Sequence, residues 1–303
     1  MELTIQLAIN ALSLGAIYSL LSLGFAVIYN TVRIFHVLHG AAFVISGYVF
    51  WAAGMEWGFP VYIAGSLAVV AAGASGLLME YGVYRRFRGR GAGFLTSFLG
   101  SLSALFFFES LLLVIFRTTI RIPRQPGPLE TFNIRSESLG LDLFILQHSI
   151  TTIVLVALIV VGVTLFFRFT QWGRMIRAVA SNPELAVAVG INAPNVYIMV
   201  FILGSALAGV GGVMQSFEVG VTPVVGIQLA ITAVAGVIIG GIGSMPGAVV
   251  GALALGVAQT LASYFLGGNW AEPAGFVLLL LVVVFRPYGL LGTREHRELR
   301  RLL

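Results

Sequence analysis

Residues 3–29 read LTIQLAINALSLGAIYSLLSLGFAVIY and carry no charge. A helix rises about 1.5 Å per residue, so this run exceeds the roughly 20 residues that cross a hydrocarbon core. It is too long for an ordinary core helix. It also outruns the apolar stretch of a cleaved leader, and Glu2 stands where a leader carries basic residues. Val61 to Met79 is a second uncharged run. Working outward from these two, the pattern predicts spans near 4–29, 38–54, 60–80, 93–116, 148–168, 195–216, 224–242, 247–266 and 273–286. The stretches 30–40 and 240–247 are the places where a re-entrant element would lower the count. The short alternating segments of a transmembrane barrel are absent. The expected fold is therefore an all-α polytopic membrane protein with eight or nine transmembrane helices, in one domain spanning residues 1–303.

Composition agrees. Hydrophobic residues make up 58% of the chain and charged residues 10%, too little polar surface for a soluble protein of this length. Without cysteine, disulfides and thiolate metal sites are excluded. All 17 basic residues are arginine, and they gather in the connections. Nucleic-acid binding does not explain that placement; membrane topology does. One set of loops holds Arg33, Arg85, Arg86, Arg88, Arg90, Arg168, Arg174, Arg177, Arg286, Arg294, Arg297, Arg300 and Arg301. The other holds only Arg117, Arg121, Arg124 and Arg135. Basic residues are retained in the cytoplasm, so the richer side is expected inside, the N-terminus outside and the C-terminus cytoplasmic. The polar stretch 117–147 is expected to be a connector, turn-rich around Pro126-Gly127-Pro128, or a docking surface for an extracytoplasmic partner.

Small residues recur every four positions: Gly236, Gly240 and Ser244; Gly243, Gly247 and Gly251; Ser205 with Gly209; Ala208 with Gly212. Such spacing lets helix backbones approach closely, at a subunit interface, at a movable gate or within the chain. Gly247→Leu is expected to damage assembly more than Gly76→Leu. Residues 240–247, GGIGSMPG, are expected to turn tightly between two close-packed helices. Ionisable residues within the spans are few. Glu109 is the one carboxylate well inside a span, and either bonds a neighbouring helix or serves transport. His36 and His39, followed by Gly40, are pathway or gate candidates, or else satisfied structural histidines. No nucleophile–base set, metal-ligand cluster or phosphate loop is present, so the chain is expected to be non-catalytic.

The connection from Gln171 to Ile191 carries most of the functional argument. Asn182 suits an N-cap, Pro183 the first helical position and Glu184 the positive helix start. Gly190 is placed to end the element. Pro183 to Val189 should thus be about two turns of small and apolar residues. Such a helix in water invites a cover, either the membrane interface or a cytosolic protein.

Glu184-Leu185-Ala186, followed after three residues by Gly190, resembles the Glu-Ala-Ala…Gly loop of ABC importer permeases. Further stretches resemble the branched-chain amino-acid permeases of that superfamily, the Liv-type H subunits. They are GAIYSL at 15–20, His39-Gly40 with Gly47-Tyr48, RAVASNP at 177–183, GGIGSMPGA at 240–248 and FRPYGLLG at 285–292. The anchors run from residue 15 to 292. Two departures stand out. His36 replaces the family's Asn and Ala41 its acid, around His39-Gly40; Leu185 takes the middle of the Glu-Ala-Ala triplet.

The resemblance implies half of a translocation pathway for branched-chain amino acids or a related small polar solute, in a bacterial-type inner membrane. It implies a second, homologous but non-identical permease subunit, two cytosolic ATPase subunits and an extracytoplasmic solute-binding protein, in contact with membrane lipid and not nucleic acid. ATP and magnesium are expected on the ATPases, with no cofactor on this chain. Arg174, Arg177, Asn182, Pro183, Glu184, Leu185, Ala186 and Gly190 become the expected ATPase-coupling residues. A secondary carrier or channel is the alternative. It predicts ionisable residues or broken helices at mid-membrane, and no docking helix.

Overall fold

A computed structural model describes residues 2–123, 131–136 and 141–292. In chain order the elements are α1 (Glu2–Val32), α2 (His39–Met55) and α3 (Val61–Met79), the last continued by a π turn (Glu80–Tyr84) and α4 (Arg85–Gly89). Then come α5 (Phe94–Phe116), β1 (Thr131–Ser136), β2 (Leu141–Leu146), α6 (Gln147–Phe169), α7 (Gln171–Ser181) and α8 (Pro183–Ala188). The chain goes on through α9 (Ala193–Val219), α10 (Val225–Gly240), α11 (Met245–Leu266), a short 3₁₀ turn and α12 (Ala271–Phe285).

Each of the nine apolar segments is a helix. Among the described residues, seven rods are long and apolar enough to cross a membrane: Glu2–Val32, Val61–Gly89, Phe94–Phe116, Gln147–Phe169, Ala193–Val219, Met245–Leu266 and Gly268–Phe285. The other two are shorter. α2 has 17 residues and α10 has 16. At the helical rise these reach about 25 Å, short of the ~30 Å core. The long polar connection adds an antiparallel hairpin, with Thr131 opposite Leu146 and Ser136 opposite Leu141. Pro126-Gly127-Pro128, and the arginines from Arg294 onward, lie outside the described residues.

By internal contacts the chain divides into two compact units. The first comprises Leu23–Arg124 and Ile159–Ile231. Its core gathers Ile28, Leu38, Tyr84, Leu105 and Phe201, with a second cluster around Phe50, Ala64, Ala68 and Val213. α3 packs on α9 through a stripe of small residues, Ala64, Ala68, Ala72 and Gly76, all buried. A Cβ on Gly76 would strike Ser205 and the Phe201 carbonyl, and one on Gly209 would strike Ala72. The expected contrast with Gly247 therefore fails, because Gly76 sits in an equally tight groove.

The second unit comprises Met1–Ser22, Gln125–Leu158 and Thr232–Leu303. Here α10 and α11 meet glycine to glycine. A Cβ on Gly251 would strike the Gly236 carbonyl, and one on Gly240 the Gly247 carbonyl. The Gly236, Gly240, Gly247 and Gly251 groove thus packs the chain against itself. Gly243 departs from that groove: it lies in the turn at φ +94°, exposed. The turn is strapped by the segment after α12. Leu290 N–H donates to the Ile239 carbonyl and Leu291 N–H to that of Gly240, both at 2.8 Å. These are carbonyls that the end of α10 leaves without helical partners. Elsewhere in the unit, Tyr18 donates to Gln259 at 2.7 Å and Ser22 to the Ala233 carbonyl at 3.1 Å.

Candidate functional site

Two regions of the first unit hold the predicted site residues. One is the α7–α8 connection. Thr170 caps α7 by accepting from Gly173 N–H at 3.0 Å, and α7 is amphipathic, burying Gly173, Ile176 and Val179. Arg177 donates to the Phe167 carbonyl at the end of α6, which fixes the corner between α6 and α7. Arg174 and Arg177 are both exposed on α7. Asn182 caps α8, its Oδ1 accepting from Leu185 N–H at 3.0 Å, with Pro183 at the first position and Glu184 in the first turn. Gly190 leaves the helix at φ +88°, with nothing near an added Cβ. Ala186 is the inward residue, while Leu185, Val187 and Val189 are 65%, 56% and 76% exposed. The element is an apolar knob held on a well-capped frame.

The other region is a pair of helix breaks. α1 ends at Val32, and Arg33 takes a left-handed φ of 60°. The chain then folds back. The His39 ring packs at Gly24, about two turns before the end of α1. His39 and His36 are both buried; His36 Nδ1 lies 2.6 Å from the Tyr84 hydroxyl. Leu38 N–H donates to Ser101 Oγ at 3.0 Å. α9 ends likewise, with Gly220 at φ +76°, and Val221 forms a two-way bridge with Arg121. α10 then starts with Ile227 N–H donating to Glu109 Oε1 at 3.1 Å. The two helix starts meet, since a Cβ on Gly40 would strike the Gly226 carbonyl. Glu109 thus bonds a neighbouring helix, and Gly40 is a backbone contact. A helix start carries partial positive charge, which Glu109 answers at α10.

The family model for "Branched-chain amino acid transport system / permease component" matches residues 7–285. The chain belongs to that family. As such a permease it resembles two curated relatives over nearly their whole length. The high-affinity branched-chain amino acid transport system permease protein LivH of Escherichia coli is 29% identical, with 96% of each chain covered. The corresponding protein BraD of Pseudomonas aeruginosa is also 29% identical, with the same coverage. Among solved structures, PsaBC from Streptococcus pneumoniae in complex with Fab superposes at TM-score 0.52 with 12% identity, covering 95% of this permease and 94% of that chain. That likeness supports the fold. The permease's Glu-Leu-Ala triplet is the α8 start, and its FRPYGLLG stretch is the strap on α10.

Sequence reasoning missed several residues. A buried Glu80 and a half-buried Arg88 form an ion pair across the π turn, and Arg88 lies over the Tyr197 ring at 4.5 Å. Eight residues separate the pair, a spacing that the usual i, i+4 search passes over. Gly24 and Gly204 bring α1 and α9 into backbone contact; Gly204 extends the Ala208 and Gly212 series by one step, but no such series marks Gly24.

Proposed function

We propose that this permease forms half of the solute pathway of an ATP-driven importer for branched-chain amino acids or a related small polar solute. It pairs with a homologous, non-identical permease, takes solute from an extracytoplasmic binding protein and docks two cytosolic ATPases, which hold ATP and magnesium. The arginine-rich loops face the cytoplasm of a bacterial-type inner membrane. The observation that carries this is α8: two apolar side chains on a capped six-residue helix and a third at its C-cap stand open, between an exposed Glu184 and a glycine whose outer side is free. Apolar residues held rigidly in water fit a partner's cleft. The helix breaks are a feature that a secondary carrier also has, but such a carrier has no use for α8.

Each part has a test. In vesicles carrying the permease pair, the ATPases and the binding protein, labelled leucine uptake follows substrate choice; wild-type vesicles that take up none would remove it. Glu184→Lys and Gly190→Asp should insert and accept the binding protein normally, but lose ATPase association or solute-stimulated hydrolysis. Normal coupling in both would sink the docking role of α8. Orientation is open to thiol labelling, because the chain has no cysteine. An impermeant reagent should reach Glu56→Cys and not Ser181→Cys in intact cells. The reverse pattern would invert the topology.

A further inference from the structure

We propose that Glu80, Arg88 and Tyr197 form a clasp that passes movement of α8 to the buried break before α2. The proposal rests on the docking role of α8 and adds how that docking is transmitted. α8 leads through residues 189–192 into α9, whose start is capped by Asn192 accepting from Asn195 N–H at 3.2 Å. Tyr197 lies on the second turn of α9, beneath the Arg88 guanidinium. Arg88 also pairs with Glu80, which is almost fully buried. One turn further along α9, Phe201 stacks on Tyr84 with ring centroids 5.0 Å apart, and it meets His36 edge-on at 5.1 Å. Tyr84 in turn contacts His36 through its hydroxyl. Two successive levels of α9 therefore grip two successive levels of the α3–α4 rod, and the second level touches the break.

The gripped part of that rod is the π turn, Glu80–Tyr84. A π turn holds one residue more than the α-helix around it, and such turns collect at functional sites. Its hydrogen bonds can re-register without breaking the rod, which rotates α4 against α3. The ion pair leaves room for a second register. It is single: Glu80 Oε2 and Arg88 Nη1 are buried without a hydrogen-bond partner among the described residues. A carboxylate and a guanidinium favour two parallel bonds. A small rotation of α4 would supply the second and carry Tyr84 with it. This gives the discrete second arrangement that a transmitting element requires.

The test uses the reconstituted complex, with leucine and the binding protein as stimulus. Tyr197→Leu removes the ring under Arg88 and should cut stimulated hydrolysis about tenfold, or ~1.4 kcal/mol of coupling. It should leave ATPase binding and basal hydrolysis unchanged. Tyr197→Phe keeps the ring and should couple normally. Arg88→Lys keeps the charge but loses the planar fork; it should lower the solute carried per ATP, and it serves if Tyr197→Leu does not assemble. Glu184→Lys is the reference, losing association or stimulation at α8 itself. Normal coupling in Tyr197→Leu and Arg88→Lys beside a defective Glu184→Lys would overturn the clasp. So would loss of ATPase binding in Tyr197→Leu, which would make Tyr197 a support for docking alone. If Glu184→Lys couples normally while Tyr197→Leu does not, the clasp works without α8 and its transmitting role fails.

Discussion

The two helix breaks of the first unit share a plan and differ in chemistry. Each follows a long helix, passes through one left-handed residue and starts a shorter helix, of 17 residues in α2 and 16 in α10. Before α2 the left-handed residue is Arg33, and the freed groups are met by neutral partners, Ser101 for the Leu38 amide and Tyr84 for His36. Before α10 it is Gly220; a backbone bridge to Arg121 holds the chain and the Glu109 carboxylate holds the helix start. Away from water, every backbone donor that a break releases needs a partner from the protein. Two unrelated sets of residues meet the same demand, so the geometry, not a shared motif, is what both breaks preserve.

Substitutions can break that equivalence, starting with the contact common to both. Gly40→Val should have the largest effect, because its branched side chain would force Gly40 off the Gly226 carbonyl, where backbone cannot give way. The expected outcome is loss of folded protein on size-exclusion chromatography in detergent. Gly65→Val, with nothing within 4 Å of its Cβ, should behave as wild type. Recovery of normal Gly40→Val protein would show that the two starts do not abut.

Glu109→Leu comes next. It orphans the Ile227 amide and should cost about 1–3 kcal/mol, read as a drop in thermal unfolding temperature. Glu109→Gln keeps an acceptor and should cost less. Equal losses for the two would mean that charge, not hydrogen bonding, holds the second break. At the first break Ser101→Ala removes a neutral acceptor and should cost about 0.6–1 kcal/mol by the same assay. A larger loss than for Glu109→Leu would reverse the ranking. The smallest change is a gain. Arg33→Gly relieves a left-handed conformation that side chains disfavour, and should stabilise by about 1 kcal/mol or less.

Much of this was readable from the chain. Runs without charge located the helices, because apolar length is a local property. The α8 frame was readable too, since Asn182, Pro183, Glu184 and Gly190 each act on their own backbone. The meeting of the starts of α2 and α10 was not. Hydropathy records that residues are apolar, not which helix starts abut, and the decisive contact joins Gly40 to a residue almost two hundred positions away. Gly76 failed as the bland counterpart of Gly247 for a related reason. Its tightness comes from Ser205 and Phe201 on another helix. The Glu80–Arg88 pair escaped notice because the π turn alters the spacing by which helical neighbours are recognised.

The strap on α10 has a consequence for how the chain is made. The Ile239 and Gly240 carbonyls receive their donors from Leu290 and Leu291, which follow two further helices, α11 and α12. Until those helices have left the ribosome and entered the bilayer, the end of α10 has no protein partner for these groups. The strap on the α10–α11 turn therefore forms only late in biogenesis. A chain interrupted within α12 should present that turn to quality-control proteases, even though every residue of the turn itself has already been synthesised.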